Sequence, residues 1–136
     1  MREEICTYEV CKLAKEKGLP QDECGVNIGY YAWDGLRKIH SLVNSFAWYN
    51  EEYNHDNLYL AATQSLLQRW LREEKKHAIS VFWDVLSKAY RYEIVKTIGI
   101  LEIEVGEKYN YSNPKGFDTY ELALEDALKY ALENLI

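Results

Sequence analysis

The apolar residues of this chain change period along its length, and that change restricts the available folds more than any single motif does. Three stretches carry apolar residues at helical spacing, and the stretches between them carry apolar residues at alternate positions. Helices interleaved with such strands point to an α+β fold. The expected architecture is an antiparallel sheet of about four strands with three amphipathic helices packed mainly on one face, in the order α-β-β-α-β-β-α.

The first helical stretch runs from Thr7 to Lys17, with Thr7 placed as N-cap. Val10, Leu13 and Ala14 form one side and Lys12, Lys15 and Glu16 the other. Gly18 stands where a left-handed residue ends a helix, Leu19 can fold back on the last turn, and Pro20 prevents continuation. Cys6 and Cys11 flank Thr7 at the positions of a hydrophobic staple.

Val26 to Trp33 is rich in aromatic and β-branched residues, and Asp34-Gly35 is a strong two-residue hairpin signal. The segment that follows is ambiguous. Leu36, Ile39, Val43 and Phe46 repeat at helical spacing, but the turn argues for a returning strand, and a hairpin is the favoured reading. Glu51 to Asn57 is a polar, acidic loop.

The central helix is expected from Thr63 to about Lys76, with Leu66, Leu67, Trp70 and Leu71 as its buried stripe. Truncating Trp70 to alanine should then cost about 3–5 kcal/mol. Lys75, Lys76 and His77 close the helix, where cations suit the dipole. Ile79, Val81 and Trp83 alternate with Ser80 and Phe82, so this strand is largely apolar on both faces. Residues 90–105 read as one bent strand or two, with Gly99 as the break, and Glu102 and Glu104 lie on a wet face. The last helix follows the loop Asn113-Pro114-Lys115-Gly116. Asp118 and Glu121 have capping-box spacing, and Phe117 and Leu122 have staple spacing. Its stripe is Tyr120, Leu124, Ala127, Leu128, Ala131 and Leu135, with Glu125 and Lys129 paired on the wet side.

The 136 residues suit a single domain, 1–136. Hydrophobic residues make up 48% and charged ones 28%, which is enough apolar material for a core without disulfides or metals. The net charge of −6 repels phosphates, so nucleic acid is a disfavoured partner. Cys6, Cys11 and Cys24 are an odd set, expected as free thiols in a reducing cytosol. Met1-Arg2-Glu3-Glu4 leads into no apolar h-region, and no apolar run approaches the ~18 residues of a membrane span. A cytoplasmic protein with no membrane partner is therefore expected. Asn110-Tyr111-Ser112 has glycosylation spacing, which means little outside a secretory setting.

The chemistry-bearing residues form no familiar constellation. The six soft ligands Cys6, Cys11, Cys24, His40, His55 and His77 show no C-x-x-C, H-x3-H or H-E-x-x-H spacing. Glu51, Glu52 and Asp56 lack the ligand rhythm of an EF-hand. No G-x-S-x-G, P-loop or G-x-G-x-x-G is present. No catalytic residue, metal or cofactor is expected from this pattern. The feature carried forward is a basic face on the central helix, Arg69, Arg72 and Lys76, at i, i+3 and i+7. It suits an acidic partner or phosphates, against the plainer reading of a solvated face balanced by Glu73.

Three segments, EICTYEVCKLAKEKG (4–18), TQSLLQRWLRE (63–73) and FDTYELALEDAL (117–128), resemble a family of small uncharacterised proteins common in Bacteroidetes genomes, often in prophages and other mobile elements. The likeness covers the three helical stretches and little of the chain from about residue 34 to 60. Members carry a proline before TQSLLQ, where this chain has Ala61-Ala62, so the entry to the central helix differs. The resemblance implies a bacterial cytoplasm and a phage-derived gene, and it brings no site residues with it.

Three functional readings follow. The favoured one is a non-enzymatic accessory protein acting through protein contacts, in keeping with its 12 tyrosines, whose rings are apolar and whose tips are polar. The second is a nucleic-acid-associated protein using the basic face. The third is an enzyme with an unrecognised site, which requires a concave pocket of convergent polar groups. Homo-oligomerisation through an exposed sheet edge remains open.

Overall fold

The computed structural model describes residues 4–21, 30–33, 38–43, 58–97, 105–109 and 116–136; for 30, 32–33, 38–43, 58, 97 and 105–109 only the backbone is described. The class is α+β, and the chain divides into two compact units, Met1–Thr63 and Gln64–Ile136. Among the described residues the strands are antiparallel and hydrogen-bond in two groups of three. In place of the expected single sheet of about four strands, the described strands fall into two sheets of three, one in each unit.

The first unit opens on helix α1 (Tyr8–Glu16). The Thr7 hydroxyl accepts from the Val10 N–H at 3.4 Å, as its N-cap position requires. At the other end Gly18 takes φ +103°. The Leu19 N–H then donates to the Ala14 carbonyl at 2.9 Å and the Gly18 N–H to the Lys15 carbonyl at 3.1 Å. This pair of bonds is the Schellman motif, and Leu19 is buried against the turn it closes. Cys6 and Cys11 are both buried free thiols, and the Cys11 thiol donates to the Cys6 carbonyl at 3.7 Å. They are the two apolar residues of the staple.

Strands β1 (Tyr30–Trp33), β2 (Lys38–Val43) and β3 (Leu58–Leu60) form the sheet of this unit in the order β2-β1-β3. The ambiguous segment is thus a returning strand over 38–43, and its pairing with β1 makes the favoured hairpin. Trp33 pairs with Lys38, which leaves four residues between the strands rather than two. Asp34-Gly35, the segment 26–29 and the acidic loop 51–57 lie outside the described residues. Strand β3 was not apparent in the sequence, because three residues are too few to show a period.

Helix α1 packs against β3 through a tyrosine cluster. The buried Tyr8 ring meets Tyr31 edge-on at 5.9 Å and Tyr59 edge-on at 5.4 Å. The Tyr31 hydroxyl donates to the Cys6 carbonyl at 2.8 Å. Gln21, also buried, accepts from the Leu60 N–H at 2.7 Å and donates to the Leu19 carbonyl at 2.9 Å. Its amide thus satisfies backbone groups from two segments that would otherwise be costly to bury.

The second unit contains α2 (Gln64–Glu73), β4 (His77–Asp84), β5 (Ala89–Thr97), β6 (Val105–Tyr109) and α3 (Tyr120–Tyr130), which continues into a π-helical turn, Ala131–Leu135. Of the stretch 90–105, residues 90–97 belong to β5 and Val105 opens β6, which pairs antiparallel with β5; residues 98–104 lie outside the described residues. Gly99, Glu102 and Glu104 lie outside the described residues. Strands β4 and β5 pair without a break from His77↔Lys96 to Asp84↔Ala89. That register puts Ile79, Val81 and Trp83 on the same face as Ile94, Tyr92 and Tyr90. Helix α2 packs against β4, and α3 packs against both strands and against α2.

Helix α2 is shorter than expected and turned about its axis. Its buried residues are Gln64, Leu67 and Leu71, whereas Leu66 and Trp70 are only half-buried. The Lys75 ammonium lies 5.3 Å above the Trp70 ring, so this indole sits at the margin of the core and takes a cation–π contact. Gln64 is buried because its amide links the two helices, donating to the Glu121 carbonyl at 2.9 Å and to Glu125 Oε1 at 3.0 Å. Helix α3 is capped by Thr119, whose hydroxyl accepts from the Leu122 N–H at 3.1 Å. The expected cap at Asp118 is therefore one residue early. Its stripe is Ala123, Leu124, Ala127 and Leu128, continued by Ala131 and Leu132, with Tyr120 exposed and Leu135 half-buried. The fully buried Tyr92 donates its hydroxyl to Asp126 Oδ2 at 2.8 Å.

An antiparallel bridge joins Tyr90 to Phe117, with bonds of 2.8 and 2.9 Å. It draws the chain so close to β5 that a β-carbon on Gly116, at φ +74°, would collide with the Ala89 Cβ.

Three predictions follow from this packing. Gly116→Ala should destabilise the chain by roughly 1–3 kcal/mol. It should cost more than Gly18→Ala, whose methyl meets nothing and which carries only the left-handed penalty of about 1 kcal/mol. Denaturant melts of the two variants give the order. Leu71→Ala should cost about 2–5 kcal/mol, and Trp70→Ala should cost less. Equal losses in thermal melts would return the indole to the core. Burial first, and then the neighbouring Tyr59, pushes the Tyr8 phenol from 10.0 up to about 12. Its contribution to stability is complete below the unfolded pKa and is lost as pH rises toward about 12. Phenolate absorbance of the wild-type chain minus that of Tyr8→Phe isolates this group, and a midpoint near 10.0 would contradict its buried setting.

Candidate interaction surface

The β4–β5 connection is the four-residue loop Val85–Lys88, held by one carboxylate. Asp84 Oδ1 accepts from the Leu86 N–H at 3.1 Å. Asp84 Oδ2 accepts from the Ser87 hydroxyl at 2.8 Å and from Arg91 Nε at 2.9 Å. Arg91 Nε also donates to the Ser87 oxygen at 3.2 Å. The bond from the Ser87 hydroxyl is the largest influence and, with the Leu86 N–H and Arg91, holds the Asp84 carboxyl below its ordinary range against the opposing effect of desolvation. Lys88 closes the loop in the left-handed region at φ 53°.

This polar clasp presents apolar side chains to solvent. Leu86 is 95% exposed and Val85 73% exposed, where a turn ordinarily carries polar residues. Trp83, at 51%, begins a run of rings beside them. It meets Tyr90 edge-on at 5.0 Å, and Tyr90 meets Tyr120 at 6.3 Å. Leu122, also exposed, follows in the first turn of α3. Phe82 is exposed on the opposite face of the sheet. Single exposed apolar residues are ordinary, but linked ones mark contact surfaces.

The expected basic face is only partly a helix face. Arg69 and Arg72 lie on α2 and are exposed. Neither forms an ion pair among the described residues. Lys76 lies beyond the end of the helix at φ 61°, and its ammonium donates back to the Glu73 carbonyl at 2.8 Å. It lies past the end of α2 rather than extending its face. His77 belongs to β4 and is buried. Its Nδ1 lies 2.6 Å from the Lys75 carbonyl, which can only accept, so Nδ1 carries the proton of this contact. His40 lies on β2, while His55 and Cys24 fall outside the described residues.

Among the described residues no three His, Cys, Asp or Glu side chains gather closely enough to hold a metal ion. No helix among them is long and apolar enough to cross a membrane. The exposed apolar group at the turn escaped sequence reasoning because Trp83 and Phe82 fit a strand with two apolar faces, and Tyr120 fits a helical stripe. The available signal was Val85-Leu86, an apolar pair between Asp84 and Ser87-Lys88. No family model, curated protein or solved structure matches the chain.

The clasp makes a checkable statement about pH. The Asp84 carboxyl should titrate below the ordinary aspartate range in a carbon-detected NMR titration, and Ser87→Ala should raise its midpoint. A depressed carboxylate contributes its stability above the unfolded pKa and loses it as pH falls through the lower folded one. An unshifted midpoint in Ser87→Ala would assign the depression to other groups.

Proposed function

We propose that this chain is a non-enzymatic accessory protein that acts by binding another protein, with its contact surface at the β4–β5 turn and the adjoining first turn of α3. The observation that carries this reading is the exposure of Val85 and Leu86 on a turn held in one shape by Asp84, Ser87 and Arg91. A pre-shaped apolar tip limits the ordering cost of association, and a neighbouring tryptophan supplies the large rigid contact area that interface anchors favour. The resemblance of the three helical segments adds a setting, a bacterial cytoplasm and a gene of prophage origin, in which small accessory proteins of this kind fit.

A second reading rests on Arg69 and Arg72, which are exposed and unpaired by any carboxylate among the described residues. Phosphates would suit them, although the net charge of −6 opposes such binding at long range.

One experiment separates the two. The tagged chain is used to capture partners from a bacterial lysate, and its self-association is followed by sedimentation. Leu86→Asp, at a fully solvated site, should leave the melting curve within about 0.5 kcal/mol of wild type and should abolish capture. The double variant Arg69→Glu, Arg72→Glu should keep it. Capture that survives Leu86→Asp, or the absence of both a partner and self-association, overturns the proposal. Nucleic-acid binding at low salt that the double variant loses would support the second reading.

A further inference from the structure

We draw no further inference here: the strongest candidate, the outer edge of strand β4 beside the apolar turn, is unpaired among the described residues but carries no proposal, because nothing in the structure shows what covers it.

Discussion

The unbroken ladder between β4 and β5 is the constraint on which the unit 64–136 depends. Its register decides which side chains share a face, since a slip of β5 by one residue would move Tyr92 and Ile94 to the side opposite Ile79. With the register set, Tyr92 reaches Asp126 on α3, and Gln68 of α2 donates to the Ile79 carbonyl at 2.9 Å. The ladder thus holds both helices, α2 through β4 and α3 through β5, by side-chain hydrogen bonds as well as by apolar burial. The bridge from Tyr90 to Phe117 extends the same arrangement to the entry of α3, and the close approach at Gly116 is its steric consequence.

The ladder also fixes the tip. Asp84 pairs with Ala89, so the four residues between them must turn, and the carboxylate of Asp84 organises that turn from inside. Hydrogen bonds to a charged acceptor are stronger than neutral ones, and here they come from a backbone N–H, a hydroxyl and a guanidinium. The result is a defined loop whose apolar residues gain nothing from the fold that displays them. Burying a leucine stabilises a protein by about 1.5–3 kcal/mol, and Leu86 leaves that gain to whatever it meets. Among the described side chains of the unit 1–63 the rings do the opposite: Tyr8 is buried between Tyr31 and Tyr59.

Local chemistry explains which features were legible in advance. Thr7, Gly18 and Leu19 each bond within a few residues of themselves, so their capping roles were readable from spacing alone and are the ones observed. Thr119 replaced Asp118 as the cap of α3 because neighbouring residues both qualify, and the bridge at Phe117 decides where the helix can begin. Trp70 and Tyr120 have the right spacing for a buried stripe, yet a stripe one residue round the helix contains better-placed partners, Gln64 and Ala123. Periodicity fixes the existence of an apolar face more firmly than its phase. Of the basic face, Arg69 and Arg72 were placed correctly on α2, and Lys76 was not, because α2 ends at Glu73 and Lys76 follows it in the left-handed region.

By itself the sequence determined the class, three helices among antiparallel strands, and the capping of the first helix, because these depend on short-range periodicity and on hydrogen bonds between near neighbours. Tertiary structure alone decided the division of the described strands between two sheets, which edge residues of the stripes on α2 and α3 are buried, and the solvent exposure of Trp83, Val85 and Leu86. Those outcomes depend on which residues distant in sequence bury one another, and an apolar side chain has the same identity whether a partner covers it or water does.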